Sequence, residues 1–329
     1  MNHEEYSMSS PILGLHHVTA IAGDPQKNID FYVGVLGLRL IKKTVNFDDP
    51  STYHLYYGDG IGSPGTIITF FPWPGARHGV LGSGQTSTTT FAVPERSLDF
   101  WRQRFEEARF GADDIERFDL PGLAFADPDG LRLELLESAR TGDGREPWVG
   151  SSVPTEHAIR GFDGVTLLHA DSDATEHLLI DAMGFRKVAV DGQRVRYESG
   201  DGGSGTFVEL LHNPDAVPGR VAVGSVHHVA FRVADDNAQA AWQHHLIDAG
   251  HPTTEVRDRL YFHSIYYREP GGVLFELATD NPGFATDESV EELGTGLRLP
   301  PWLESSRESI EKKLPALGDH PKRKSSEAA

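Results

Sequence analysis

The stretch Arg259-Leu-Tyr-Phe-His-Ser-Ile-Tyr-Tyr-Arg-Glu-Pro-Gly-Gly-Val-Leu-Phe-Glu-Leu-Ala-Thr-Asp280 reads as two strands joined by a Pro-Gly-Gly turn. Tyr261 to Arg268 is rich in aromatic and β-branched residues, and Val273 to Ala278 is a short apolar run. Glu276 interrupts that run between Phe275 and Leu277, where burial is expected. A buried carboxylate is costly unless it is paired or holds a metal. The same unit recurs upstream, and the comparison shows what accompanies Glu276.

Residues 14–71 open with a strand-like segment, Gly-Leu-His-His-Val-Thr-Ala-Ile-Ala. A helical pattern follows with Ile29, Tyr32, Val33 and Leu36 on one face, ended by Gly37. Strand-like segments then cover Leu38 to Val45, Tyr53 to Tyr57 and Thr66 to Phe71. The unit is β-α-β-β-β. Residues 86–137 repeat it, with Ser97 as an N-cap and a helix to Ala108. Residues 162–212 give a third copy, with a helix from Ala174 to Met183, and residues 225–279 a fourth. Asp127-Pro-Asp-Gly-Leu-Arg-Leu-Glu134-Leu aligns with Glu269-Pro-Gly-Gly-Val-Leu-Phe-Glu276-Leu. The expected organisation is an N-terminal pair of modules over 1–137, a linker over 138–161 and a C-terminal pair over 162–282. Residues 283–329 hold a helix from Leu299 to about Leu314, then a polar tail from Asp319 expected to be disordered.

Composition narrows the function. Thirty basic against 49 acidic residues give a net charge of −19, which opposes binding to nucleic acid or anionic lipid. The absence of cysteine excludes disulfides, thiolate metal sites and a cysteine nucleophile. No apolar run approaches membrane-spanning length, and the acidic start Met-Asn-His-Glu-Glu-Tyr lacks the apolar core of a signal peptide. The expected location is the cytoplasm. Oligomeric state is left open, a homo-oligomer being compatible with this sequence.

Two positions in each copy carry the chemistry, one on the first strand and one on the last. Copy one has His17 and Thr69, copy two Thr88 and Glu134, copy three Gly164 and Glu209, copy four His228 and Glu276. Two imidazoles and one carboxylate make a facial set that leaves positions open, which suits non-haem Fe(II) better than structural zinc. His17, His228 and Glu276 come together only if copies one and four face each other, which leaves copies two and three to pair. Glu134 and Glu209 then have structural roles. By strict strand alternation His16 and His227 point away from their ligand neighbours, and only a bulge or twist brings them to a substrate.

Paired β-α-β-β-β units with first-strand histidines and a last-strand glutamate resemble the vicinal oxygen chelate superfamily of glyoxalase I, extradiol dioxygenases and antibiotic-resistance proteins. More narrowly, Leu15-His-His-Val-Thr, Phe31-Tyr-Val-Gly-Val-Leu-Gly-Leu, Lys42-Lys-Thr-Val-Asn-Phe-Asp-Asp-Pro, Tyr53-His-Leu-Tyr-Tyr-Gly-Asp and Tyr261-Phe-His-Ser-Ile-Tyr-Tyr-Arg-Glu-Pro-Gly-Gly resemble ring-cleaving hydroquinone dioxygenases. The resemblance runs from residue 14 to about 315. It implies an α+β fold: four βαβββ modules forming two open, cup-shaped mixed β-barrels with helices outside. It implies Fe(II), with Mn(II) accepted by the same ligands, on His17, His228 and Glu276. It also implies catalytic roles beside the metal for His16, Thr19, His227, Arg259 and Tyr266. Arg259 can offset the charge of a phenolate, and His227 and Tyr266 are the best candidates for moving protons. The implied partners are a hydroquinone or catechol and O2.

Rival readings share the fold. A glyoxalase-type isomerase needs a carboxylate where copy one has Thr69. A metal-free binding protein of the resistance type needs no ligand set, and an epimerase using another divalent metal is the weakest of the three.

Overall fold

A computed structural model describes residues 10–139 and 145–318. Module one comprises β1 (Leu15–Ala22), α1 (Pro25–Ile29), β2 (Arg39–Asn46), β3 (Asp49–Gly58) and β4 (Ile67–Pro72). Module two comprises β5 (Gln85–Pro94), α2 (Leu98–Glu107), β6 (Ala112–Arg117), β7 (Leu120–Ala126) and β8 (Arg132–Ala139). Module three comprises β9 (Phe162–His169), α3 (Asp173–His177), β10 (Arg186–Asp191), β11 (Arg194–Glu198) and β12 (Phe207–His212). Module four comprises β13 (Ser225–Val233), α4 (Asp236–Asp248), β14 (Arg257–Asp258), β15 (Phe262–Arg268) and β16 (Leu274–Pro282).

Local chemistry explains these elements. The Asp24 carboxylate accepts the N–H groups of Gln26 and Lys27, and Pro25 occupies the first turn, so α1 starts there. The helix then widens into a π turn over Asp30–Val35, with Leu36 N–H donating to Phe31 O. Module three repeats that widening over Leu178–Ala182. The expected apolar face of Ile29, Tyr32, Val33 and Leu36 is buried. Trp101 and Phe105 of α2, and Trp242 and Leu246 of α4, are buried likewise. Among the described residues no helix is long and apolar enough to cross a membrane.

Two eight-stranded mixed sheets curl into open half-barrels, in the orders β14-β15-β16-β13-β1-β4-β3-β2 and β10-β11-β12-β9-β5-β8-β7-β6. Module one therefore pairs with module four, and module two with module three, as the ligand inventory requires. Each sheet takes one module from each half of the chain. The β15–β16 and β7–β8 turns tie the modules together in the other direction. Asp127 accepts the N–H groups of Asp129 and Leu131 and also the Tyr32 hydroxyl of module one. Glu269 accepts those of Gly271 and Val273 and also the Thr175 hydroxyl of module three. Sheet pairing and turn anchoring thus link the four modules into a closed ring. The 145–161 stretch packs against modules one and two: Val153, Ala158 and Ile159 are buried, and Ser151 donates to Gly37 O.

Strand alternation breaks at the seam between modules. In the antiparallel β1–β13 pair, Leu15 faces Phe231 while His17 faces Ala230, and Thr19 faces His228 while Ala20 faces Val226. His16 and His227 are the extra residues of two β-bulges. The β5–β9 pair has the same two bulges, at Ser87 and Asp163. The bulge that strict alternation lacked is present at both histidines.

The C-terminal segment differs from expectation. Instead of one helix from Leu299 to Leu314, turns lead into a 3-10 turn at Glu304–Ser306 and a single helix, α5, over Arg307–Glu311. Pro300 and Pro301 supply no N–H, and the bonds that form first, Leu303 to Pro300 O and Ser306 to Leu303 O, have three-residue spacing. The tail expected from Asp319 lies outside the described residues.

Gly84 (φ 81°) lies where the two sheets' turns meet, and a Cβ there would sit 2.6 Å from Gly271 O. Gly75 (φ 77°) has the same backbone conformation in open space. Gly75→Ala is expected to cost about 1 kcal/mol for the left-handed backbone alone, and Gly84→Ala clearly more, in urea unfolding of the two variants side by side.

Candidate metal centre

His17 on β1, His228 on β13 and Glu276 on β16 converge in the bottom of the first half-barrel, all buried. His17 Nε2 lies 3.3 Å and His228 Nε2 2.9 Å from Glu276 Oε2, and the two Nε2 atoms are 3.3 Å apart. Glu276 Oε1 accepts the Ser264 hydroxyl, while Oε2 has no hydrogen-bond partner among the described residues. Burial alone would raise the Glu276 carboxyl, but the flanking imidazoles outweigh it and hold it well below the ordinary range. Burial pushes His228 down.

The bulged neighbours decide where the protons are. His16 Nε2 lies 3.1 Å from Thr279 O, an acceptor, so that nitrogen carries a proton. Burial, with His17 beside it, pushes His16 down to about 3, so its Nδ1 is bare. His17 Nδ1, 2.9 Å away, must then donate. In neutral His17 the Nε2 lone pair faces Glu276 Oε2. That arrangement is repulsive unless a proton or a metal ion stands between them. A cation fits this orphaned oxygen and the two imidazoles, so the group could hold a metal ion through His17 Nε2, His228 Nε2 and Glu276 Oε2. His227 Nδ1 lies 2.7 Å from His228 Nδ1 in the same relation. If His228 ligates through Nε2, its Nδ1–H donates to His227, and His227 presents an Nε2–H of its own.

The second half-barrel has the same corners with different contents. Tyr266 faces Glu276 in its ladder, and Arg196 faces Glu209 in the equivalent one. Arg196 donates to Glu209 at 2.7 Å and lies between the rings of Phe118 and Phe207. Arg194 donates to Glu209 at 2.9 Å, and Arg117 to Glu134 at 2.8 Å. Glu134 and Glu209 are buried and paired, as their expected structural role demands. Glu134 and Glu209 each have a guanidinium partner; Glu276 has none among the described residues.

A cavity of about 320 Å3 opens over the ligand group. Phe47, Tyr56, Phe71, Trp73 and Phe262 contribute aromatic wall, and His227, Arg259 and Tyr266 contribute polar groups. Arg259 Nε donates to the Tyr266 oxygen at 3.1 Å, and its Nη1 to Asp48 at 3.0 Å across the cavity mouth. Burial raises Tyr266, and Glu276 adds to the rise, so it stays a phenol. His227 is pushed down to about 3 by burial and His228, so it is neutral at pH 7. The structure brings His227, Arg259 and Tyr266 to the cavity, whereas His16 is tied to Thr279 O and does not line it. Thr19 is fully buried and bonded to Thr69 at 2.9 Å. Sequence reading gave no role to His54, Phe71 or Trp73. His54 and Tyr56 at i and i+2 of β3 were the available signal, since alternation puts both on one face.

Purified chain is expected to bind one divalent metal, counted by elemental analysis. Glu276→Gln should lose it. Arg196→Ala should keep it but lower stability by roughly 3–5 kcal/mol, because Glu209 and Asp163 stay buried with a partner removed.

A profile of the Glyoxalase/Bleomycin resistance protein/Dioxygenase superfamily matches residues 14–135 and 161–277. The chain is 48% identical over 307 residues to MhqO of Bacillus subtilis (strain 168), provisionally named a ring-cleaving dioxygenase, covering 93% of this chain and 97% of that one. It is 36% identical over 304 residues to the chlorohydroquinone/hydroquinone 1,2-dioxygenase of Sphingobium indicum, covering 90% and 94%. A crystal structure of a Bacillus subtilis protein, provisionally named a dioxygenase, superposes with a TM-score of 0.89 at 47% identity, covering 94% and 99%. With both module pairs inside the matched segments, the chain belongs to the glyoxalase/bleomycin resistance protein/dioxygenase superfamily, as a homologue of its ring-cleaving dioxygenases.

Proposed function

We propose that the chain is a non-haem Fe(II)-dependent, extradiol-type dioxygenase that opens the ring of a hydroquinone or catechol and incorporates O2. The observation that carries this reading is a three-ligand group, His17, His228 and Glu276, beneath a cavity with an aromatic wall and hydrogen-bond donors. The homology to a hydroquinone 1,2-dioxygenase supports the substrate class.

Bound Fe(II) would supply acidity toward a phenolic hydroxyl and electron transfer to O2; Mn(II) is accepted by the same donors. The chain's own groups do the rest. Phe262 and Phe71 offer faces to an aromatic ring and keep water out. The His227 Nε2–H and the Tyr266 hydroxyl donate toward oxygen atoms in the cavity. Since Arg259 already donates to the Tyr266 oxygen, the phenol proton of Tyr266 is free to point at substrate. Arg259 offsets anionic charge that builds on the ring oxygen. His16 acts at one remove, by fixing the His17 tautomer through Thr279 O.

The isomerase alternative needs a fourth protein ligand. The register that places Tyr266 opposite Glu276 places Tyr56 opposite Thr69, a hydroxyl already bonded to Thr19 and His54. A binding protein without metal has no use for a buried carboxylate oxygen that lacks a hydrogen-bond partner among the described residues, as Glu276 Oε2 does.

Anaerobic loading with Fe(II), then addition of hydroquinone or catechol, should give O2 consumption on an oxygen electrode. Metal-loaded protein that consumes no O2 with either compound refutes the reading. His227→Ala should retain iron and lose about 10²-fold in kcat, the usual worth of a positioned proton donor.

A further inference from the structure

The polar groups of Tyr56 and His54, which line the cavity, and of the buried Thr69 have no role so far. They form one hydrogen-bond chain. The Tyr56 hydroxyl lies 2.8 Å from His54 Nδ1, His54 Nε2 lies 2.8 Å from Thr69 Oγ1, and Thr69 Oγ1 lies 2.9 Å from Thr19 Oγ1. Thr19 stands opposite His228 in the β1–β13 ladder and two residues from His17 on the same face, with no bulge between them. The chain thus runs from the cavity wall to the side of the ligand group.

We propose that Tyr56, His54 and Thr69 are positioning residues that fix the polarity of this chain, so that the Thr19 hydroxyl is left as a hydrogen-bond donor toward the oxygen of a bound phenol; this rests on the ring-cleaving reading above. Polarity follows from counting protons. Tyr56 is 2% exposed, and His54 Nδ1 is the hydrogen-bond partner its hydroxyl has among the described residues. A buried phenol proton left without an acceptor is costly, so Tyr56 donates. Burial holds His54 well below its ordinary range, so it is neutral and has one proton to place. With Nδ1 accepting, that proton sits on Nε2 and is donated to Thr69. The Thr69 hydroxyl then gives its own proton to Thr19 Oγ1. Thr19 has one O–H remaining and no further acceptor among the described residues. The opposite polarity would strand the Tyr56 proton and turn Thr19 into an acceptor, which repels an anionic oxygen.

The pseudo-symmetry of the half-barrel gives the chain a counterpart. Ser264 and Tyr266 of β15 hold the register positions of His54 and Tyr56 of β3. Ser264 donates to Glu276, while His54 donates to Thr69. In both modules the strand next to the last one presents a donor to the residue that faces the centre. One of these residues is a ligand, and the other passes a proton on.

Two measurements on the full-length protein test the proposal. The first is the imidazole 15N spectrum of metal-free protein, with the His54 signals assigned by their loss in His54→Phe. His54 is expected with Nε2 protonated and Nδ1 bare, and Tyr56→Phe should shift it toward the other tautomer. A protonated Nδ1 in the unsubstituted protein overturns the proposal. The second is steady-state kinetics with Fe(II)-loaded protein and hydroquinone. Thr69→Val should lower kcat by about 10- to 100-fold, the worth of one hydrogen bond to a charged oxygen, with KM and iron content little changed. Thr69→Ser should restore it. A Thr69→Val enzyme with unaltered kcat also overturns the proposal. If the unsubstituted, iron-loaded protein consumes no O2 with any phenol, the ring-cleaving reading fails, and the 15N spectrum still judges the chain's polarity.

Discussion

The site depends on the way β1 lies antiparallel to β13. That ladder alone brings His17 and His228 within 3.3 Å, although 211 residues separate them in sequence. Its two bulges put an additional imidazole beside each ligand imidazole. One bulged histidine turns outward to a backbone carbonyl and the other faces the cavity. The ladder is nearly symmetric, yet its two ends do different jobs. His16 is bonded to Thr279 O beside His17, and His227 lines the cavity beside His228.

The second half-barrel is an internal control for this reasoning. It has the same strand order, the same pair of bulges and buried glutamates at the same register positions. There the positive charge is built into the chain as Arg117, Arg194 and Arg196. Breaking a buried pair is costly because it leaves a charge uncompensated. Glu276 lacks a guanidinium, and its Oε2 also lacks a hydrogen-bond partner among the described residues, which is where a metal ion could supply the compensating charge. The two half-barrels thus treat one register position differently: one pairs its glutamates with arginines, and the other sets Glu276 beside two imidazoles, where a metal ion could sit.

Much of this was legible in the residues. The β-α-β-β-β repeat is carried by helix faces such as Ile29-Tyr32-Val33-Leu36 and by the aligned Asp127 and Glu269 turns, which the structure shows anchoring neighbouring modules. The non-sequential pairing of modules followed from one count, that only modules one and four hold histidines at the ligand position. What alternation could not give was the two bulges, because an inserted residue is visible only relative to the strand it faces. The His54–Thr69–Thr19 chain was hidden for the same reason: three strand-borne side chains meet only across parallel and antiparallel ladders. The C-terminal segment was misread as a helix because proline and acidic start signals specify where a helix can begin, and say little about whether three-residue turns win.

The ring of modules also bears on how the site comes into being. Module one cannot complete its sheet with module two, its first neighbour in the chain; it must wait for module four. During synthesis the β1 edge has no partner strand until module four, which begins past two thirds of the chain, has been made. Non-local pairings of this kind are slow to form and leave strand edges exposed to aggregation. The ligand group is among the last features to assemble, so no partial chain lacking module four can present it to a metal ion. In this architecture the capacity to hold a metal would report that modules one and four, the two ends of the repeat, have paired.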